Sequence, residues 1–211
     1  MRAISFASES HYAMQDRWYS ECRDAGMDDV VCYREKDIPS DFVKFGDRGY
    51  GFWQWKPLFI ERSLRETDKV LYMDVDYSLL EPWRLEALLD ISDLGVVLFR
   101  YSFPQRIWCK RDAFVFMGCD EQRYWDADHL EAGISLWRAT SFAKSTVKEW
   151  AGYAKQRAII SDDPNVGGEE NFPEFRDHRH DQAILTNLKT QYDLNTLPVK
   201  FLKGIIAGAD I

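Results

Sequence analysis

The chain carries 211 residues, 45% of them hydrophobic and 29% charged, enough to bury the core of one globular domain. A formal net charge of -8 and a pI near 5.1, with no Lys/Arg block to offset the acid, argue against non-specific binding to nucleic acid or to anionic membranes. The aromatic share, 15% with eight Trp and ten Tyr, exceeds what a core of this size needs, so some rings are expected to line a groove that takes a sugar or a base.

Residues 1–7 lack the long apolar core of a signal peptide and no run reaches the length of a membrane span, so a cytoplasmic protein is expected. Cys22, Cys32, Cys109 and Cys119 form no CxxC pair, which predicts free thiols and argues against metal–thiolate chemistry. Arg2 to Ala7 reads as a first strand leading into Ser8-Glu9-Ser10, a loop and helix cap over which a nucleotide can lie. Met14, Trp18, Cys22 and Ala25 follow at helical spacing as a core stripe, closed by Gly26. Asp29 to Tyr33 is a short second strand, and Lys36 to Phe45 a loop or short helix around Pro39, so the chain begins as a βαβ unit.

Arg48-Gly49-Tyr50-Gly51-Phe52-Trp53-Gln54-Trp55-Lys56-Pro57 packs two glycines, four aromatics and two bases into ten residues. Pro57 suits the first position of a helix whose apolar stripe is Ile60 and Leu64, with Lys56 at its start. That N-terminus, flanked by Arg48 and Lys56, suits a diphosphate, and the glycines allow close backbone approach. The alternative is an aromatic loop packed on the sheet with two solvated bases.

Lys69-Val70-Leu71-Tyr72-Met73-Asp74-Val75-Asp76 is an apolar run ending in two carboxylates one residue apart. Four consecutive apolar side chains suit a central strand covered on both faces, and open α/β sheets bind ligands beyond the carboxyl ends of such strands. Asp74 and Asp76 can then converge on one divalent cation, or on a cation and a ribose; an Asp-rich turn is the alternative. Glu81-Pro82-Trp83 opens a helix through Leu89, and Leu94 to Phe99 is a further buried strand. Lys110, Arg111 and Asp112 precede an apolar segment to Met117, and Leu130 to Trp137 reads as a strand with Glu131 at its start. Either acid can face an acceptor; a cap for Asp112 and a solvated edge for Glu131 are the alternatives.

Ser141 is expected to cap a helix carrying Ala143, Val147, Trp150, Ala151 and Ala154. Ser161 to Phe175 is the longest irregular stretch, and a mobile lid is expected there. His178-Arg179-His180-Asp181-Gln182 then enters a helix through Ile184 and Leu188, and can supply a metal ligand, a phosphate clamp and a carboxylate for a reacting sugar, or simply an N-cap. There is no internal repeat or linker, so residues 1–211 are expected to form a single domain, either whole or part of a longer protein.

RGYGFWQWKP, the strand ending YMDVD, KRDAF, EAGISLWRAT and HRHDQAIL, in this order, resemble the small GT-A glycosyltransferases of bacterial polysaccharide clusters and large DNA viruses. The resemblance covers most of the chain. It implies a GT-A, Rossmann-like α/β/α sandwich with a mostly parallel central sheet that binds a nucleoside diphosphate sugar, commonly a UDP-sugar, with Mn2+ or Mg2+. The sugar passes to a glycan hydroxyl, in a bacterium or a virus-infected host cell. By the same resemblance Asp76 binds the metal, Asp74 shares it or contacts the ribose, and Val75 lies between them. His178 or His180 is an extra metal or phosphate ligand. Arg48 and Lys56 assist the phosphates, Ser8 and Trp55 belong to the donor site, Asp112 is a sugar-hydroxyl ligand, and Asp181-Gln182 lies by the anomeric carbon. Asp181 is the first choice for the reacting carboxylate and Glu131 the second, with inverting and retaining outcomes both open. A non-catalytic nucleotide-sugar module and an Asp-x-Asp phosphohydrolase are the competing readings. In the latter the nucleophilic Asp follows an early strand, whereas two strands precede Asp74 here.

Overall fold

The structure is a computed structural model that describes residues 1–208. Its elements in chain order are β1 (Arg2–Phe6), α1 (Tyr12–Asp24), β2 (Asp29–Tyr33), the single turn α2 (Gly49–Phe52), α3 (Trp55–Glu66), β3 (Lys69–Met73), β4 (Ser78–Leu79), α4 (Pro82–Asp90) and β5 (Val96–Pro104). There follow α5 (Arg111–Phe116), α6 (Gln122–Trp125), β6 (Asp128–Arg138), α7 (Ser141–Ala154), α8 (Arg157–Ile160), α9 (His180–Gln191), β7 (Thr196–Pro198) and β8 (Ile206–Ala207). The main sheet runs β2-β1-β3-β6-β5-β7, with β6 antiparallel to both neighbours and the other pairs parallel.

Alternation along the strands builds the three layers. Ile4 and Phe6 of β1 and Val70 and Tyr72 of β3 join one apolar cluster with Phe59 and Ile60 of α3, Val147 and Trp150 of α7, and Ile184 and Leu185 of α9. The residues between them, Ala3, Leu71 and Met73, face the opposite side with Trp18 and Cys22 of α1 and Leu85 and Leu89 of α4. A strand buried on both faces has to be apolar at consecutive positions, which is why β3 reads as an unbroken run until it leaves the core at Asp74. β1 lies between β2 and β3, so the chain leaves β1 toward one side and returns on the other. Such a reversal of strand order opens a crevice at the carboxyl ends of the two strands. Ser8 and Asp74–Asp76 stand at those ends.

Several local expectations are corrected. Met14 is 37% exposed, because the helical face that packs on the sheet carries Gln15, Trp18 and Cys22 instead. The cap of α7 is Thr140, whose hydroxyl accepts from the Ala143 N–H at 3.0 Å. Pro57 is the third residue of α3, another position whose N–H has no partner within a helix. The 161–175 stretch is stapled rather than free. Asp112 accepts from the Val166 and Gly167 N–H groups, Lys110 Nζ donates to the Ser161 and Asp163 carbonyls, and Asn171 Oδ1 accepts from the Arg111 N–H. Among the described residues no helix is long and apolar enough to cross a membrane.

Candidate active site

Two adjoining cavities occupy the crevice. The larger, about 540 Å³, is floored by Phe6–Ser8 at the end of β1 and Asp74–Asp76 at the end of β3, and is walled by Tyr50, Trp53, Trp55, His11 and Met14. The smaller, about 250 Å³, holds Lys56, Glu131, Asp181, Gln182, Tyr101 and His180. Trp53, Asp74 and Asp76 line both, so the two carboxylates stand on the boundary between an aromatic chamber and a charged one.

The aromatic wall depends on an unusual backbone. Gly49, Tyr50, Gly51, Phe52 and Trp53 all have positive φ, between 51° and 90°. The three that are not glycine each cost on the order of 1–3 kcal/mol in that region, so the surroundings must impose the shape. Trp55 Nε1 donates to the Gly49 carbonyl at 2.9 Å, and Gln54 Nε2 donates to the Val43 carbonyl at 2.8 Å. The Phe52 ring stacks on His180 with centroids 4.8 Å apart. His180 is itself at φ 45° and donates or accepts at Asp162 Oδ1, 2.9 Å from its Nε2. Two strained segments, one before Lys56 and one before Asp181, thus lock against each other.

At the bottom of the charged chamber lies Lys56, with a side chain 3% exposed. Its Nζ donates to the Ala132 carbonyl at 2.9 Å and stands 3.3 Å from Asp181 Oδ2 and 3.6 Å from Asp74 Oδ1. Burial alone would lower its pKa; Asp181, Asp74 and Glu131 outweigh that and raise it. The acids are shifted too. Burial pushes Asp181 up to about 7 and Asp74 up to about 6, although Lys56 pulls both the other way. Asp181 Oδ2 is buried and makes no well-directed hydrogen bond. Tyr72 donates its hydroxyl to Asp74, and Tyr101 donates to Glu131, whose other oxygen accepts from the Gly133 N–H. Asp76 is exposed, and among the described residues no side-chain cation pairs with it. Three carboxylates, Asp181, Asp74 and Glu131, therefore act on one buried ammonium, with Asp76 on the rim beside them, a strong local excess of negative charge.

Other predicted residues fall differently. Ser8, Trp55 and Val75 line the aromatic chamber, and Lys56, Glu131, Asp181 and Gln182 the charged one. Gln182 Nε2 donates to the Leu130 carbonyl. Arg48 lines the charged chamber but is held by Asp177 at 2.9 and 2.5 Å and by Asp162 at 3.4 Å. Asp112 is not brought to the site, since both of its oxygens are used on the 166–167 backbone. Neither is His178: it is 2% exposed, its Nδ1 accepts from the Lys110 N–H, and its Nε2 donates to the Ile159 carbonyl. A buried imidazole with both nitrogens occupied ties segments together rather than ligating an ion.

Tyr101 and Gly133 were not predicted. Tyr101 lies in a polar extension of β5 with no motif to mark it, whereas the small residue two places after Glu131 was a readable signal. A Cβ at Gly133 would stand 2.6 Å from Glu131 Oε1, 2.6 Å from Tyr77 Cε2 and 3.1 Å from Asp74 Oδ2. Gly133→Ala is expected to cost about 1–3 kcal/mol by overpacking. It should also displace Glu131 and Asp74, so cation-dependent nucleotide binding measured by calorimetry falls more than the melting temperature does.

No family model and no curated protein matches the sequence. Solved structures do. The apo bifunctional glycosyltransferase WbbM superposes with a TM-score of 0.54 at 14% identity, covering 89% of this chain and 37% of that one. Apo mouse xyloside xylosyltransferase 1 gives 0.52 at 10% identity, covering 94% of this chain and 84% of that one. The chain thus spans little more than a third of WbbM but most of the mouse enzyme. These superpositions show that the chain, with its antiparallel β6 in an otherwise parallel sheet, has the GT-A glycosyltransferase fold.

Proposed function

We propose that the protein is a glycosyltransferase that moves a sugar from a nucleoside diphosphate sugar, with a UDP-sugar as the donor carried over from the resemblance, to a glycan hydroxyl. The observation that carries this reading is the pair of chambers sharing Asp74 and Asp76. An aromatic chamber of nucleoside size abuts a carboxylate-rich chamber of sugar size, with the acids at the position of the linking diphosphate.

A divalent cation fits these residues. Among the described residues no three His, Cys, Asp or Glu side chains converge to hold an ion unaided. Asp76, exposed and unpaired, and Asp74, beside it, would supply one or two carboxylates. Mn2+ or Mg2+ held this way would leave room for phosphate oxygens and water, which such ions commonly take in nucleotide sites. When bound, the ion supplies charge that favours departure of the nucleoside diphosphate. The chain's own residues do the rest. Lys56 orients Asp74 and Asp181 from beneath, and Tyr72 fixes Asp74 through its hydroxyl. Asp181 is the carboxylate at the reacting carbon, its pKa near neutrality suiting it to hold or receive a proton at Oδ2. Glu131, held by Tyr101 and the Gly133 N–H, accepts from a sugar hydroxyl and is the second carboxylate available as base.

Thermal-shift and calorimetric titrations with UDP, GDP and their sugars, in Mn2+ and in EDTA, test this reading. One nucleotide at about 100 times its dissociation constant should add about 2.7 kcal/mol of stability only when the metal is present. Asp76→Ala should lose that metal dependence with the fold intact. No stabilisation by any nucleotide in Mn2+ would overturn the donor site, and an Asp76→Ala protein with unchanged affinity in Mn2+ would overturn the metal assignment.

A further inference from the structure

A third cavity, about 340 Å³, lies on the far side of Arg48 from the charged chamber, and Arg48 lines both. It is an open pocket along the stapled 161–178 segment, with half-buried Phe175 and exposed Arg176, Pro164 and Asn171 among its walls. We propose that this cavity is a carbohydrate subsite, which holds the sugar of the acceptor adjacent to the one that bears the reacting hydroxyl. This rests on the glycosyltransferase reading for the word acceptor, and on the cavity's own chemistry for the word sugar.

The chemistry selects a neutral, hydroxyl-rich ligand. Three cations, Arg48, Lys110 and Arg176, balance three carboxylates, Asp162, Asp163 and Asp177, so the cavity has no net formal charge. Most of that charge is already spent on both sides: the Arg48 guanidinium is taken by Asp177 and Asp162, Arg157 holds Asp163, and Lys110 Nζ donates to two carbonyl oxygens. The fully buried His178 adds no charge, because burial holds its pKa well below the ordinary value. What the walls leave available is different in kind. The Arg176 side chain has no hydrogen bond or ion pair within the described residues, and the Asn171 amide uses only its oxygen. The Phe175 ring is half-buried and stacks on no other ring. An apolar face beside Pro164, the Arg176 fork and the Asn171 amide nitrogen as donors match a sugar ring, which offers C–H faces and hydroxyl edges at once.

Rigidity supports the same assignment. The segment would be expected to move if it served only to cover the donor, but it is fixed by buried Asp112 and Lys110 and by the Arg176 and Arg179 N–H groups donating to the carbonyls of Ile107 and Trp108. A polar loop held this firmly is a preformed wall, which lowers the ordering cost of binding.

The test compares Arg176→Ala and Phe175→Ala with the unmodified protein in transfer to matched acceptors, monosaccharide glycosides and the same glycosides extended by one neutral sugar. The unmodified protein should prefer the extended acceptors at least tenfold in kcat/KM. Both variants should lose that preference to within twofold, mainly through KM, with donor hydrolysis by water retained. A wild-type protein with no preference, or variants that keep it, would overturn the subsite. A second measurement does not need turnover: with 4-fluorophenylalanine incorporated and the Phe175 signal assigned through Phe175→Leu, a panel of neutral disaccharides should shift that 19F resonance, and Arg176→Ala should weaken the shift. Absence of any shift at millimolar disaccharide would overturn the proposal, whereas a shift in a protein that binds no nucleotide would support the sugar site and count against the donor reading alone.

Discussion

Asp181→Asn is expected to lower sugar transfer by about 10²- to 10⁴-fold, the range associated with loss of one positioned acid–base group, while nucleotide binding in Mn2+ stays within severalfold of wild type. The substitution preserves shape and removes the charge and the titrating proton. The carboxylate it replaces lies 3.3 Å from Lys56 Nζ and titrates near 7 because burial resists its ionisation. Stability should move the other way at alkaline pH. A carboxyl whose folded pKa is raised from its ordinary value of 3.8 to about 7 binds its proton more tightly folded than unfolded. Its contribution to stability is therefore full below about 4 and is lost as pH rises through about 7. Asp74, raised to about 6, acts in the same direction. The metal-free wild-type protein should then melt at a lower temperature at pH 8 than at pH 5.5, and Asp181→Asn should flatten that slope. A variant with near wild-type turnover would remove Asp181 from the chemistry; one with low turnover but an unchanged pH slope would detach the chemistry from the electrostatics described here.

What the sequence conveyed depended on whether a residue's role was set locally. β1, β3 and β6 announce themselves as apolar runs because their burial is nearly continuous. The Gly26 end of α1 is equally local: its φ of 93° is the left-handed cap that a glycine allows. Lys56, Asp74, Asp76 and Asp181 could be picked out because each sits at the mouth of an apolar element inside a block of the family resemblance; position alone also allows a turn, a solvated base or a cap. Asp112 and His178 have the same side-chain chemistry as Asp181 and His180, and only the fold decides that one staples the 166–167 backbone and the other bridges Lys110 and Ile159. Loop polarity likewise cannot distinguish a free lid from a stapled wall, since both expose Asp, Asn and Gly. The left-handed run from Gly49 to Trp53 was the least readable feature. Tyr50, Phe52 and Trp53 have no intrinsic preference for that region, and contacts from the adjoining Gln54 and Trp55 and from His180, far along the chain, hold them there.

Lys56→Met should be the most destabilising single substitution in the site, by about 3–5 kcal/mol at pH 8, the usual cost of leaving buried charge without its partner. Methionine fills much the same volume but neither donates to the Ala132 carbonyl nor offsets Asp74 and Asp181. The acids then have two ways to relax. They can take up protons, which the variant should do at higher pH than wild type, so the loss measured by urea unfolding should shrink between pH 8 and pH 5. Alternatively an external cation can replace the missing charge, and Mn2+ should recover part of the stability at pH 8 in the variant. Lys56→Arg distinguishes charge from fit, because the guanidinium keeps the charge but must displace the Tyr72 ring, whose centroid lies 4.8 Å from Nζ, or the Ala132 carbonyl. If charge governs, the arginine variant keeps a wild-type pH slope even where it loses stability to overpacking. A methionine variant as stable as wild type at pH 8 would mean that the carboxylates are already neutral there, and with that the argument that this chamber is built to receive a cation would fail.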